Sequence, residues 1–195
     1  KNHPVEAMQA AIDAGIMNIG ENRVQEALDK AQTLGRAVKW HLIGHLQTNK
    51  AKQAVKYFDL IHSVDSFHLA KELDKEAGKL GKVQDVLVQV NLAKEDSKSG
   101  VYEEDLFNML DEVDELAHLH LVGLMCIAPN YENVEECRPL FHRMYEIFQK
   151  AKEIPYQTAT IRYLSMGMTH DYAIAVEEGA NIVRVGTAIF GPRQY

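Results

Sequence analysis

Two short glycine-containing segments near the end of the chain have the composition of a phosphate-binding site. Ser165 and Gly167 stand in "LSMGMTHDY", and Gly186 and Thr187 stand in "RVGTAIFG". Hydroxyl groups, and backbone N–H groups that a glycine leaves accessible, are typical donors to phosphate oxygens, above all where a helix begins. A helix is predicted to begin near residues 169–171, directly after the first segment. Because serine and glycine also form ordinary turns, a plain turn remains the alternative.

Two cationic residues extend this pattern toward a particular cofactor. Arg184 precedes Gly186 by two residues, so strand alternation places both on the same, inward side. An inward arginine is costly without a partner. Lys1 opens the chain in "KNHP", and a lysine that is desolvated or close to other cations can form a Schiff base with a carbonyl. Together these groups point to pyridoxal phosphate, although a solvated terminal lysine remains the alternative.

The elements that would position these residues alternate regularly along the chain. Short apolar runs predict seven strands, and amphipathic segments predict seven helices around them. The predicted strands cover residues 16–21, 38–44, 58–64, 83–92, 118–127, 160–167 and 181–191. The predicted helices cover residues 4–15, 22–35, 48–58, 66–81, 102–116, 134–153 and 170–180. Ser66 is the predicted N-cap of the fourth helix.

Strands that alternate with helices predict an α/β fold with a parallel sheet covered by helices. No linker or low-complexity tract interrupts residues 1–195, so we expect a single domain. A TIM (β/α)8 barrel needs eight strands, and this chain begins with a helix at Pro4. We therefore expect a TIM (β/α)8 barrel whose first strand lies upstream of residue 1. An open seven-stranded sheet is the alternative.

The barrel prediction places the candidate residues together. Function collects at the C-terminal ends of barrel strands, and phosphate groups favour the loops after strands seven and eight. With one strand restored, Ser165–Gly167 and Arg184–Thr187 fall at those two positions. Lys1 would then end the first strand, next to the closing strand.

Composition excludes several other classes of function. A formal net charge of −7 argues against a nucleic-acid-binding surface. No apolar stretch is long enough for a membrane span. Cys126 and Cys137 are too few for a disulfide framework and fit a cytoplasmic protein. His41 and His45 are four residues apart, but on a predicted strand that spacing does not direct both rings to one face, so we predict no metal site.

The motifs along the whole chain resemble those of the pyridoxal phosphate homeostasis protein family. They are "KNHP", "IGENRVQEA", "WHLIGHLQTNK", "HSVDS", "VNLAKEDSKSG", "GLMCIAP", "SMGMTHDY" and "VRVGTAIFG". The resemblance implies a PLP-binding TIM barrel similar to the barrel of alanine racemase, with pyridoxal 5′-phosphate held as an internal aldimine on Lys1. It implies that the first strand and a helix before it lie upstream of residue 1. It also implies that Asn22 lies near the cofactor ring and that Arg184 faces the pyridine nitrogen. By the same resemblance, the phosphate cup comprises Ser165, Met166, Gly167, Gly186 and Thr187, and the pocket is lined by His41, Met125 and Met168.

The resemblance implies a cofactor carrier rather than an enzyme. Such a monomeric, cytoplasmic protein would hold pyridoxal phosphate reversibly and deliver it to apo forms of enzymes that depend on it. A racemase-like enzyme is the main alternative, and a phosphosugar lyase or isomerase that uses Lys1 is another. Racemisation needs acid–base groups on both faces of the substrate. Racemases take the second group from a partner subunit with an extra β domain, for which we expect no counterpart after "FGPRQY".

Overall fold

A computed structural model describes residues 3–192, and in this part of the chain seven strands form one sheet. The strands are β1 (Asn18–Glu21), β2 (Lys39–Leu42), β3 (Leu60–Val64), β4 (Gln84–Val90), β5 (Leu119–Cys126), β6 (Tyr163–Met168) and β7 (Ile182–Arg184). Their spatial order follows the sequence order, and every neighbouring pair is parallel. The prediction of seven parallel strands is confirmed.

Helices connect these strands, because parallel neighbours need a crossover connection, which is usually an α-helix. They are α1 (Val5–Asp13), α2 (Val24–Leu34), α3 (Ala51–Tyr57), α4 (Phe67–Lys79), α5 (Glu103–Asp114), α6 (Arg138–Glu153), α7 (Tyr172–Glu177) and α8 (Thr187–Phe190). Short 3₁₀ turns, Thr48–Lys50 and Val134–Cys137, precede α3 and α6. The predicted cap of α4 is confirmed, because the Ser66 hydroxyl accepts a hydrogen bond from the N–H of Leu69.

The sheet curls into a nearly closed barrel. β3 and β6 are not neighbours in the sheet, yet His62 and Ser165 form a hydrogen bond across the interior. On the outside, the His3 ring lies 5.1 Å from that of Phe190, centroid to centroid, which joins the start of α1 to α8. In residues 3–192, β1 and β7 are the two edges of the sheet. A strand that precedes residue 1 would fit between them, and this remains a prediction.

Apolar side chains fill two layers on opposite faces of the sheet. The larger layer lies between strands and helices and contains Trp40, Phe58 and Phe141, all fully buried. The smaller layer fills the barrel interior with Leu60, Leu87, Val122 and Met125. This is the arrangement of a packed barrel rather than a pore. None of the helices within residues 3–192 is long and apolar enough to cross a membrane.

One predicted element ends earlier than expected. The apolar run 181–191 was predicted as a single strand, but β7 ends at Arg184 and α8 occupies Thr187–Phe190. β7 pairs with β6 only at Ser165↔Ile182 and Met168↔Arg184. Because β6 ends at Met168, no strand remains beside residues 187–190, and these form a helical turn instead. The prediction of strand structure over 187–190 is therefore wrong.

Candidate functional site at the ends of β6 and β7

Gly167 brings the start of α7 close to the end of β6. Its φ of +96° lies in the region that favours glycine. A Cβ atom at this position would stand 2.6 Å from the Ala175 Cβ and 2.9 Å from the Tyr172 Cα. Any side chain would therefore push α7 away from the strand. Glycine at 167 is required for the compact β6–α7 connection.

The loops that follow β6 and β7 touch each other. The N–H of Ala188 donates to the Thr169 hydroxyl at 3.4 Å. The Asp171 carboxylate stabilises the first loop by accepting a hydrogen bond from the N–H of Met168 at 2.6 Å. In residues 3–192, the N–H groups of Gly186 and Thr187 have no acceptor, and a Cβ on Gly186 would meet no atom within 4 Å. This open turn with free donors fits a phosphate group.

Arg184 reaches from the end of β7 into the barrel. Its guanidinium donates to the Ser165 hydroxyl at 2.6 Å and to the backbone carbonyl of Cys126 at 2.8 Å. A guanidinium has five N–H donors, and the hydrogen bonds within residues 3–192 use two of them. None of the ion pairs within residues 3–192 includes Arg184, and burial lowers its pKa. A desolvated cation with unused donors needs a hydrogen-bond acceptor, such as the pyridine nitrogen of pyridoxal phosphate.

A chain of hydrogen bonds continues from Ser165 through the barrel interior. The Ser165 hydroxyl lies 2.9 Å from Nδ1 of His62. The Nε2 atom of His62 lies 2.9 Å from Nδ1 of His41, and Nε2 of His41 lies 3.1 Å from the side-chain oxygen of Asn18. The chain thus runs from the mouth of the barrel to Asn18, an exposed residue at the beginning of β1.

His41 and His62, the two histidines of this hydrogen-bond chain, are held in the neutral form. Burial lowers the pKa of His62 well below its ordinary value, and the neighbouring His41 and the Arg184 cation lower it further. Burial also lowers the pKa of His41, against an opposing effect of Asp59. Near neutral pH each ring therefore has one N–H donor and one acceptor nitrogen.

The remaining predicted residues occupy different environments. Lys1 lies outside the described residues. Asn22 follows β1, and its backbone oxygen approaches Gly44 so closely that a Cβ there would stand 2.2 Å away. Met168 is 41% exposed beside the loop after β6. Met125 is fully buried in the interior apolar layer, and Met166 is fully buried in the layer between sheet and helices. Only backbone atoms of Met166 could therefore border a phosphate.

The sequence analysis did not single out His62 or Asn18. His62 lies within the apolar strand segment "FDLIHSV", and a titratable residue in a buried strand is the signal that could have found it. Its partner Ser165 is 103 positions further along the chain, a distance that no local pattern spans. His45 is not part of the hydrogen-bond chain, because its Nδ1 lies 3.1 Å from side-chain oxygens of both Asp65 and Ser99. Residues 3–192 contain no group of three potential metal ligands.

Sequence and structure comparisons identify the class of barrel. The profile described as alanine racemase, N-terminal domain, matches residues 1–194. The alanine racemase of Clostridium difficile has the same fold, with a TM-score of 0.76 at 16% identity, covering 98% of this chain and 49% of that one. The predicted TIM-barrel class is thus confirmed, and the protein is a barrel of the alanine racemase N-terminal type.

More similar proteins define the family within this class. A pyridoxal phosphate homeostasis protein of Aquifex aeolicus is 43% identical over 196 residues, covering 100% of this chain and 85% of the relative. PipY of Synechococcus elongatus, in a structure with PLP bound, has a TM-score of 0.89 at 41% identity, covering 98% of this chain and 89% of PipY. This chain belongs to the pyridoxal phosphate homeostasis protein family.

Proposed function

We propose that this protein binds pyridoxal 5′-phosphate at the mouth of its barrel and serves in the intracellular homeostasis and delivery of this cofactor. The observation that carries the proposal is the Arg184 guanidinium, which reaches the barrel interior with unused donors beside two loops that suit a phosphate. The names of its relatives and the PLP-bound structure of PipY support the same ligand.

The predicted residues at the mouth of the barrel have separate roles in this proposal. The N–H groups of Gly186 and Thr187 bind the phosphate, together with the backbone of Met166 and Gly167. Arg184 donates to the pyridine nitrogen. Ser165 contributes through Arg184 rather than through the phosphate, because its buried hydroxyl is already bonded to Arg184 and His62. Asn22 and Met168 border the ring, from the loops after β1 and β6.

Lys1 attaches the cofactor in this proposal. The Lys1 amine would hold the cofactor, which would supply the aldehyde with which a primary amine forms a C=N bond and releases water. His3 supports this position, because its ring packs against Phe190 at the end of α8. His3, two residues after Lys1 in the sequence, thus lies beside α8, which begins directly after Gly186.

Arg184 also favours storage over catalysis. A guanidinium at this position donates hydrogen bonds and does not accept a proton in return. It would keep the pyridine nitrogen unprotonated, which weakens the electron sink that carbanion chemistry requires. We therefore propose that the protein, acting as a monomer in the cytoplasm, passes its cofactor to apo-enzymes without robust catalysis of its own.

Absorbance of the full chain tests cofactor binding and its attachment. Incubation with pyridoxal phosphate should produce a band at about 420 nm that borohydride abolishes, as expected for a lysine Schiff base. After reduction, mass spectrometry should find the added mass on Lys1. The K1A variant should lack both signals, whereas K52A, which removes an exposed lysine of α3, should retain them. An unmodified Lys1 with the band intact would contradict the proposed attachment.

Two further measurements separate the carrier from a racemase. The loaded protein should reactivate an apo-enzyme in the presence of a scavenger of free pyridoxal phosphate, while the K1A variant should not. With L-alanine in D2O, the loaded protein should exchange the Cα hydrogen no faster than free cofactor does. Exchange at an enzymatic rate would overturn the carrier function and support the racemase alternative. Light scattering should give the mass of one chain.

A further inference from the structure

We propose that Asn18, His41, His62 and Ser165 form a one-directional hydrogen-bond chain that positions the Arg184 guanidinium for the cofactor. This inference deepens the proposed function, on which it rests for the identity of the group that Arg184 meets. The hydrogen-bond chain itself is present in the protein without ligand.

The direction of every hydrogen bond follows from the cation at one end. The Arg184 guanidinium can only donate, so the Ser165 oxygen accepts its hydrogen bond at 2.6 Å. Ser165 has a single proton left to donate. Within residues 3–192 its other contact is Nδ1 of His62 at 2.9 Å, and because a buried hydroxyl proton needs an acceptor, Nδ1 accepts it.

The same reasoning continues through the two imidazole rings. A neutral His62 with an unprotonated Nδ1 carries its proton on Nε2 and donates it to Nδ1 of His41. His41 must then also carry its proton on Nε2, which lies 3.1 Å from the side-chain oxygen of Asn18. An amide oxygen only accepts, so the chain ends there with every donor matched to an acceptor.

The position of the chain in the barrel makes it suited to fix Arg184. Ser165 and His62 are 0% and 1% exposed, so water cannot replace their hydrogen bonds. They belong to β6 and β3 on opposite walls of the interior. A long flexible arginine is thereby attached to two rigid strands, and it has a further anchor at the Cys126 carbonyl. Such fixed donors keep their orientation when the ligand binds.

The first test needs no variant and no cofactor. In ¹⁵N-detected long-range NMR spectra of the unliganded full chain at pH 7.5, His41 and His62 should both show the Nε2–H tautomer. Resonances are assigned with the H41Q and H62Q variants. The Nδ1–H tautomer at His62, or a charged ring at either histidine, would contradict the proposed hydrogen-bond chain, whichever ligand the protein binds.

The second test compares two buried serines. Ser63 is also 0% exposed, but its hydroxyl has no partner within residues 3–192, so S63A removes a hydroxyl outside the chain. S165A should weaken binding of pyridoxal phosphate about tenfold, since hydrogen bonds to charged groups are worth more than 1.4 kcal/mol. S63A should bind within about twofold of the unchanged protein.

A spectroscopic signature separates positioning from mere destabilisation. With ¹⁵N-labelled pyridoxal phosphate, the pyridine nitrogen resonance should move toward the protonated form in S165A and stay in place in S63A. Equal affinity and equal shifts in the two variants would overturn the positioning role, while binding to the unchanged protein would preserve the proposed function. Failure of the unchanged protein to bind pyridoxal phosphate would overturn the proposed function and the ligand assigned to Arg184. The tautomers assigned to His41 and His62 would be unaffected.

Discussion

Two histidines of this barrel each join a hydroxyl group to a second polar partner, in opposite electrostatic settings. His62 lies in the middle of β3, 1% exposed, between Ser165 and His41. His120 lies near the beginning of β5, where its Nε2 is 2.7 Å from the Thr160 hydroxyl and its Nδ1 is 2.9 Å from the Asp85 carboxylate. The side chain of His120 is 27% exposed.

The charge at the end of each cluster sets the direction of its hydrogen bonds. Asp85 can only accept, so Nδ1 of His120 is a donor. Arg184 can only donate, so the Ser165 oxygen accepts from it, and the buried Ser165 proton is donated to Nδ1 of His62. The Nδ1 atoms of the two histidines therefore have opposite roles, one as a donor and the other as an acceptor. Location separates them further, because only the His62 cluster leads to the C-terminal ends of the strands, where barrels place their function. Thr160, His120 and Asp85 resemble a catalytic triad in geometry, but they lie at the N-terminal ends of the strands, the face of a barrel that contributes to stability.

The largest expected difference concerns the arginine of each cluster. Arg162 lies 3.7 Å from Asp85 in the outer cluster, which is that of His120, Asp85 and Thr160. R184M should weaken binding of pyridoxal phosphate about a hundredfold, because charged hydrogen bonds are worth about 1.5–3 kcal/mol. R162M should leave binding unchanged. Fluorescence titration with the cofactor measures both, and equal affinities would remove Arg184 from the site.

The sequence predicted much of this arrangement, for identifiable reasons. Alternating apolar runs located the seven strands, and strand alternation placed Arg184 inside the barrel. The extent of β7 was wrong because its pairing depends on where β6 ends. The contact of Ser165 with His62 could not be predicted from the sequence, because it depends on the curvature of the whole sheet, which brings β3 opposite β6. Long-range contacts between side chains were thus the part that sequence patterns could not supply.

Removal of each histidine should give the second difference, in the free energy of unfolding. H62L leaves the Ser165 hydroxyl proton and Nδ1 of His41 without partners in a buried place, which should cost about 2 kcal/mol. H120L returns Asp85 and Thr160 to water and should cost less than about 1 kcal/mol. Urea denaturation of the unliganded proteins, with unchanged m-values, provides the comparison. A larger loss for H120L would reverse the assignment of the two clusters.

The interior cluster, which is the hydrogen-bond chain that contains His41 and His62, should also make the stability of the fold depend on pH. His62 and His41 have folded-state pKa values below the ordinary value, so the unfolded chain binds protons more readily as the pH falls through about 6.5. Their contribution to stability is present above that pH and decreases below it, by up to about 1.4 kcal/mol per pH unit for each histidine. Urea denaturation between pH 7.5 and 5.5 should show this decrease, with a smaller slope in H62Q. An identical slope in H62Q would contradict a neutral, buried His62.

The smallest effect is expected from giving the interior cluster the carboxylate of the outer one. N18D places an acceptor like that of Asp85 next to Nε2 of His41, at the exposed end of the chain. An opposite charge at this distance should raise the pKa of His41, by roughly one unit or less in a partly solvated place. NMR titration of the His41 ring measures the shift, and N18A is the matched control because it offers no charge. Since Nε2 of His41 already donates to Asn18, the tautomer should stay the same in N18D. Loss of the Nε2–H tautomer of His41 in N18A, which removes the acceptor, would show that Asn18, rather than Arg184, sets the direction of the hydrogen-bond chain.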